Sequence, residues 1–334
     1  MARHWTGEAV LELARGFQEA CVLTAAGDLD VFSALRDEAK TSAQVARGLR
    51  TDPRGTTALL DALAAMELLA KEGDAYSLSP GVADALTEDA PRSVLPMVRH
   101  ASSILRRWAQ LAMVVKRGRP ARRLPSVRGA RADQAAFIGA MHTVSAPVAD
   151  RLVAELGPPR FRHLLDVGGA SGTWTIAFLR AAPSATATLF DLPEVIPMAR
   201  RRLAEAGMAD RVALVGGDFY AGPLPRGADL VWASAIIHQG SPKDNKALFR
   251  NIHRALLPGG KVLIRDIVMD PSRTRPAMGA LFAINMLVAT EGGGTYTLAD
   301  LADALKAAGF VRPTLVRPGQ QMDAVVAATK PRRK

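Results

Sequence analysis

Between residues 163 and 265 short apolar strands alternate with helical segments, and that alternation restricts the fold more than any other feature of the chain. Strand-like runs at 163–167, 185–190, 212–215, 230–233 and 261–265 enclose helical patterns at 173–181, 194–206 and 243–257. Alternation of this kind predicts an α/β domain with a largely parallel sheet. The change of pattern falls at Gly157-Pro158-Pro159. The far end departs from it: a helix at 298–308 precedes two strand-like runs, 313–316 and 324–328, placed around Pro318-Gly319, which suits a terminal hairpin.

Residues 1–90 read differently. A helix at 7–25 carries Val10, Leu11, Leu13, Ala14, Phe17 and Cys21 at helical spacing, followed by short helices at 30–34 and 42–49. Thr41 or Ser42 can cap the last of these, and Asp52-Pro53 opens a fourth helix at 54–70. Lys71-Glu72-Gly73-Asp74 then turns into a strand at 75–78. Helix, turn, helix and a Gly-Asp turn into a strand form a winged-helix pattern, which raises DNA binding as a second class of function. The fourth helix argues against it. A recognition helix presents Arg, Lys, Asn or Gln to base edges, whereas this one offers Leu59, Leu60, Leu63, Met66, Leu68 and Leu69, apolar enough to bury against another protein surface. From about residue 92 to 156 the pattern is again helical, with helices at 99–116 and 133–156 around a loop at 118–129.

The net charge of +11 on 334 residues also invites a nucleic-acid interpretation, so its distribution decides. Arg92, Arg99, Arg106, Arg107, Lys116, Arg117, Arg119, Arg122, Arg123, Arg128 and Arg131 lie in a stretch with no Asp or Glu, and Lys330, Arg332, Arg333 and Lys334 form a basic tail; the remainder is slightly acidic. The stretch is either a solvated helix face with an Arg-rich loop or a field for an anionic substrate. Only Trp108 interleaves it, so no stacking platform for single strands is indicated. One cysteine, Cys21, allows no internal disulfide and no multi-Cys zinc site, and suits a reducing cytosol. The first ten residues lack the apolar core of a signal peptide, and no run approaches the ~18 apolar residues of a membrane span. A cytoplasmic protein without membrane contact is expected, and the six histidines show no metal-binding spacing.

Chemistry concentrates after the first strand of the alternating region, in Asp166-Val167-Gly168-Gly169-Ala170-Ser171-Gly172. Glycines at a strand-to-helix turn admit a ligand to the backbone, and the helix N-terminus offers N–H groups to an anion. The spacing departs from a strict dinucleotide fingerprint, because Ala170 and Thr173 occupy glycine positions. Asp191, ending the second strand, is placed to accept hydrogen bonds from ribose hydroxyls, which also fits a nicotinamide cofactor. Gly217-Asp218-Phe219 after the third strand, together with the terminal hairpin, breaks the tie.

With these motifs the chain resembles the class I S-adenosylmethionine-dependent small-molecule O-methyltransferases of the plant caffeate and bacterial polyketide-tailoring type. The resemblance runs over nearly the whole chain, from Leu11-Glu12-Leu13-Ala14-Arg15-Gly16-Phe17 through Phe137, Ala140-Met141 and Ser145 to Gly259-Gly260-Lys261. It implies a Rossmann-like, seven-stranded, mostly parallel α/β sheet ending in an antiparallel hairpin, preceded by a winged-helix domain that makes a homodimer and does not bind DNA. The domains expected are 1–90 for dimerisation, 91–156 as a helical linker contributing to the substrate pocket, and 157–330 for the cofactor.

The resemblance further implies that Gly168 and its neighbours Asp166 and Gly169 hold the methionine portion of S-adenosylmethionine (product S-adenosylhomocysteine), Asp191 and Leu192 the ribose, and Gly217, Asp218 and Phe219 the adenine. Ser234 stands where many members have a Lys touching the cofactor. His238 aligns with the general base, whose task is to take a proton from an acceptor hydroxyl as the methyl is displaced. Members commonly follow that His with Asp, here Gln239, and place a supporting Glu where Thr295 stands. Asp266 matches a further family carboxylate, and Glu291 is a second candidate. Met141, His142, Asn285 and Met286 match the acceptor pocket, and the branch needs no metal. The expected activity is O-methylation of a small aromatic acceptor; S- or N-methylation, or a winged-helix regulator that only senses a ligand, are the alternatives.

Overall fold

The computed structural model of the protein describes residues 4–157 and 160–332. Residues 1–3, Pro158 and Pro159 at the change of pattern, and Arg333 and Lys334 of the basic tail lie outside the described residues. The chain divides into two compact units, one made of residues up to Ala109 with Arg122–Thr143, the other of Gln110–Ala121 with Val144 onward.

In the first unit the helix expected at 7–25 is two, Gly7–Arg15 and Phe17–Asp28, with Gly16 between them. Glycine is a poor helix former, and the break falls on it. Thr6 caps the first helix through Ala9 N–H, Thr41 and Gln44 form a capping box on Ser42–Leu49, and Asp52 caps Pro53–Ala65 through Gly55 N–H. That last helix stops short of the expected end because Glu67 turns into the left-handed region at φ 59° and Leu68 N–H returns to Leu63 C=O. The chain then forms strands β1 (Lys40–Thr41), β2 (Leu69–Glu72) and β3 (Ala75–Leu78) in the order β1-β3-β2, all pairs antiparallel.

Leu60 and Leu63 are fully buried against Ala26, Phe32, Val45, Tyr76 and Leu86. The apolar face of the fourth helix therefore packs inside its own unit, contrary to the expectation that it awaits a partner. The uncovered stripe lies earlier: Trp5, Val10, Leu11, Leu13 and Phe17 are exposed, Leu13 by 64%.

Three of the basic residues between 92 and 131 are internal ties of this unit. Arg99, 8% exposed, donates from Nε to Gly27 C=O and pairs with Asp30 and Glu88. Arg106 reaches Asp28, Asp133 and Leu124 C=O, and Arg128 pairs with Asp30. A charge this far from water persists only with such partners. Lys116, Arg117, Arg119, Arg122 and Arg123 stay exposed. The expected 99–116 helix is also two, Leu95–Trp108 and Leu111–Arg117.

The second unit holds a seven-stranded sheet of β4 (His163–Val167), β5 (Thr186–Asp191), β6 (Val212–Gly216), β7 (Ala228–Ser234), β8 (Leu256–Asp266), β11 (Val311–Arg317) and β12 (Ala324–Thr329) in the order β11-β12-β8-β7-β4-β5-β6; β9 (Val268–Met269) and β10 (Tyr296–Thr297) pair separately. Strands β4 to β8 are parallel, whereas β12 and β11 are antiparallel, as expected of a terminal hairpin. Helices Pro242–Ala255 and Leu298–Ala307 cover one face through Phe249, Ile252, Leu301 and Leu305. Thr173–Ala181 and the end of the long helix Ala130–Glu155 cover the other, through Trp174, Phe178, Leu152 and Val153. After β4 the chain winds outward to β5 and β6, then returns to the other side of β4 as β7. That reversal opens a crevice at the carboxyl ends of β4 and β7, the place where open α/β sheets bind ligands. Among the described residues no helix is long and apolar enough to cross a membrane.

Candidate active site

The turn from β4 into helix Thr173–Ala181 is built from residues that accept unusual backbone angles. Gly168 and Gly172 have φ of 71° and 80°, and a Cβ on Gly169 would come within 2.5 Å of Leu189 Cγ. Ala170 shares the left-handed region at φ 47°, where a side chain costs about 1 kcal/mol. Its N–H donates to Asp191 Oδ2 at 2.7 Å, and Leu192 N–H donates to Asp191 Oδ1 at 2.7 Å. Each carboxylate oxygen thus keeps acceptor capacity for a further donor. Burial holds the pKa of Asp191 above the ordinary carboxylate value, and these two N–H groups offset only part of that rise. Asp191 C=O receives Gly217 N–H at 2.9 Å, so the exit of β6 is tied to the end of β5.

Around this turn the structure gathers the residues assigned to the cofactor. Phe219 packs beside Gly168, Leu192 is exposed, and Asp218 is exposed with Oδ1 accepting Tyr220 N–H at 2.8 Å. An open concavity of about 430 Å³ borders Phe190, Gly217, Asp218 and Leu224. Asp166 differs from its expected place. It is buried beneath the turn, its Oδ2 accepts Thr175 Oγ1–H at 2.6 Å, and burial, reinforced by nearby Asp191, raises its pKa to about 7. It supports the turn from below.

On the other side of the crevice, β7 ends at Ser234 and the chain reverses at Ala235, φ 56°, before the short 3₁₀ turn Ile237–Gln239 that carries His238. Ala235 N–H donates to Arg265 C=O, which ties the reversal to β8. His238 Nδ1 lies 2.9 Å from Asp266 Oδ2 and 3.1 Å from Oδ1, with His238 7% and Asp266 2% exposed. Ile267 N–H holds Oδ1 at 2.8 Å. The Nδ1 contact leaves Nε2 as the nitrogen available to a substrate proton. Phe282 meets the imidazole edge-on at 4.8 Å, and Asn285 and Met286, three and four residues further along helix Ala277–Ala289, share that side of the helix.

Glu291 is exposed, and the carboxylate hydrogen-bonded to His238 is that of Asp266 alone among the described residues. Gln239, exposed, turns its amide to Ala235 C=O at 3.5 Å. The glycine run Gly292-Gly293-Gly294 braces the backbone beside it: Gly294 N–H donates to His238 C=O at 2.9 Å, and a Cβ on Gly293 would overlap that same oxygen. Sequence reasoning missed Gly293; three successive glycines were its only signal. Met141 and His142 are half-buried on helix Ala130–Glu155, in the part belonging to the first unit. Among the described residues no group of three or more His, Cys, Asp or Glu is arranged to hold a metal ion.

Comparison with known proteins points to one family. A family model described as an O-methyltransferase domain matches residues 108–311, and one described as an O-methyltransferase dimerisation domain matches residues 11–91. The tetracenomycin polyketide synthesis 8-O-methyl transferase TcmO of Streptomyces glaucescens is 34% identical, covering 97% of this chain and 96% of its own. The 3-hydroxy-5-methyl-1-naphthoate 3-O-methyltransferase of Streptomyces sahachiroi is 31% identical over 96% and 94%. The crystal structure of human N-acetylserotonin methyltransferase in complex with S-adenosylmethionine superposes with a TM-score of 0.80 at 27% identity, covering 99% of this chain and 100% of that one.

Proposed function

The chain belongs to the S-adenosylmethionine-dependent O-methyltransferase family with an N-terminal dimerisation domain, and from that premise we propose that it methylates a hydroxyl oxygen of a small aromatic acceptor, with His238 as general base. The observation that carries the proposal is the buried His238–Asp266 pair at the carboxyl ends of β7 and β8, beside the glycine turn. Two relatives, named for a polyketide and a naphthoate, support an aromatic acceptor.

The residues present suit the cofactor. Asp191 offers two carboxylate oxygens with unused acceptor capacity to vicinal ribose hydroxyls, Asp218 keeps Oδ2 for an exocyclic amine, and the Phe219 ring supplies a flat apolar wall. The bound cofactor supplies a sulfonium-activated methyl group. The chain's own part is alignment and proton removal. Asp266 accepts from Nδ1–H and so fixes the tautomer in which Nε2 is the base; Nε2 then takes the acceptor's proton, and the carboxylate stabilises the imidazolium that results. Phe282 restricts water on the imidazole's flank, and Asn285 and Met286 contact the acceptor. Glu291 has no part in the proton transfer proposed here.

The exposed stripe of Leu11, Leu13 and Phe17, within the matched dimerisation domain, is the homodimer contact in this proposal, and residues 1–90, 91–156 and 157–330 divide the tasks of dimerisation, acceptor binding and cofactor binding. The single cysteine suits a cytoplasmic setting.

Calorimetric titration with S-adenosylhomocysteine tests the cofactor site. Micromolar binding by the wild type, lost in Asp191→Ala, is expected, together with turnover of phenols that Asp191→Ala and His238→Ala lack. Absence of binding by the wild type would refute the proposal.

A further inference from the structure

Arg265 is a cation in a place where a strand residue has no structural need of one. It is 5% exposed, near the carboxyl end of β8, with its guanidinium 4.7 Å above the Trp174 ring and Nη1 donating to Ser234 Oγ at 3.0 Å. Its Nε–H is buried with no acceptor among the described residues. Burial lowers its pKa to about 10, so the group remains charged near neutrality. A buried guanidinium with an unsatisfied donor is costly unless something else completes it. The nearest carboxylates do not: Asp266 is hydrogen-bonded to His238, and Asp323 to Arg317.

Register shows what Arg265 faces. Val167 pairs with Ala233, which sets Gly168 beside Ser234, and Ser234 pairs with Arg265. Gly168, Ser234 and Arg265 therefore form one row across the carboxyl end of the sheet. Trp174, beneath the guanidinium, belongs to the first turn of the helix that the glycine turn opens. At the β8 end of that row the guanidinium, with its spare Nε–H, presents a cation suited to a carboxylate.

We propose that Arg265, positioned by Ser234 and Trp174, binds the carboxylate of the amino-acid portion of the cofactor. This assignment rests on the function proposed above. Ser234 then acts through Arg265, as a hydroxyl that orients the guanidinium.

The test compares two nucleosides by calorimetry: S-adenosylhomocysteine, which carries the amino-acid portion, and 5′-methylthioadenosine, which lacks it. Arg265→Gln is expected to weaken S-adenosylhomocysteine at least tenfold while leaving methylthioadenosine within twofold, and Arg265→Lys to recover part of the loss. Ser234→Ala is expected to give a smaller loss of the same selective kind. Thermal melting of each variant confirms folding. Equal loss of both nucleosides, or unchanged S-adenosylhomocysteine affinity in Arg265→Gln, would overturn the assignment and leave Arg265 as a tie between β8 and Trp174. Wild type that binds neither nucleoside would remove the methyltransferase proposal and this assignment with it.

Discussion

Nδ1 of His238 and Oδ2 of Asp266 stand 2.9 Å apart although 28 residues separate them, because β7 and β8 are parallel neighbours whose carboxyl ends lie side by side. Loss of the base is expected to lower kcat about 10²- to 10⁴-fold in His238→Ala. Asp266→Asn should fall between that variant and wild type, since the imidazole remains but its tautomer and charge lose support. Both should bind S-adenosylhomocysteine within about twofold of wild type. A kcat for His238→Ala within threefold of wild type on every phenol tried would exclude the base.

The acid under the glycine turn makes stability depend on pH. Asp166 has a pKa of about 7 in the folded protein against 3.8 for an ordinary Asp, so between those values the folded state holds the extra proton. Stability contributed by this group is therefore lost as pH rises through that window, and the loss is complete above about 7. Asp166→Asn keeps an acceptor for the Thr175 hydroxyl and removes the titration. Its melting temperature relative to wild type should climb by several degrees from pH 5 to pH 8; a difference that stays flat across that range would contradict the linkage.

Ala170 offers a cheap repair. Glycine is at ease at φ 47° and alanine is not, so Ala170→Gly should stabilise by about 1 kcal/mol, raising the melting temperature of a unit of this size by about 2–4 °C. S-adenosylhomocysteine affinity should be unchanged, because the N–H that meets Asp191 is retained. A lower melting temperature would mean that the methyl group's contacts outweigh the strain.

The stripe on the first helices predicts assembly. Leu11, Leu13 and Phe17 are each more than half exposed, an arrangement that soluble chains rarely leave against water. Wild type is expected to sediment as a dimer, and the double variant Leu13→Glu, Phe17→Glu as a monomer with its own fold intact by circular dichroism. A double variant that still sediments as a dimer would move the interface elsewhere.

The glycine turn and Asp191 stood out in sequence because they lie at the carboxyl ends of the first two strands of the alternating region, whereas the roles of Asp218 and His238 came only from the resemblance. The residues that escaped depend on tertiary neighbours. Arg265 counts as one more charge on a short strand until Trp174 and Ser234 are seen around it, and Gly293 matters only because His238 C=O runs alongside. Arg99, Arg106 and Arg128 belonged to a stretch that reads as a solvated face or an anion-attracting field because their acidic partners, Asp28, Asp30, Glu88 and Asp133, lie outside its acid-free run. The helix breaks near Gly16 and Ala109 fell within apolar periodicity that continues on either side of them. The wider organisation, a parallel sheet closed by a hairpin after a winged-helix module, came from periodicity and resemblance together.

The hairpin also sets the order in which the site can be completed. β8 carries Arg265 and Asp266 at its end, and the neighbour on its outer side is β12, which pairs Val325 with Arg265 and Ala324 with Asp266. A ribosome delivers β8 long before β12, so during synthesis the strand that bears both groups waits with one edge open. A nascent chain stopped before Ala324 holds every glycine, carboxylate and histidine of the site yet lacks the strand that fixes two of its charges in place. Premature stop codons in the hairpin should therefore silence the enzyme as completely as lesions in the site itself.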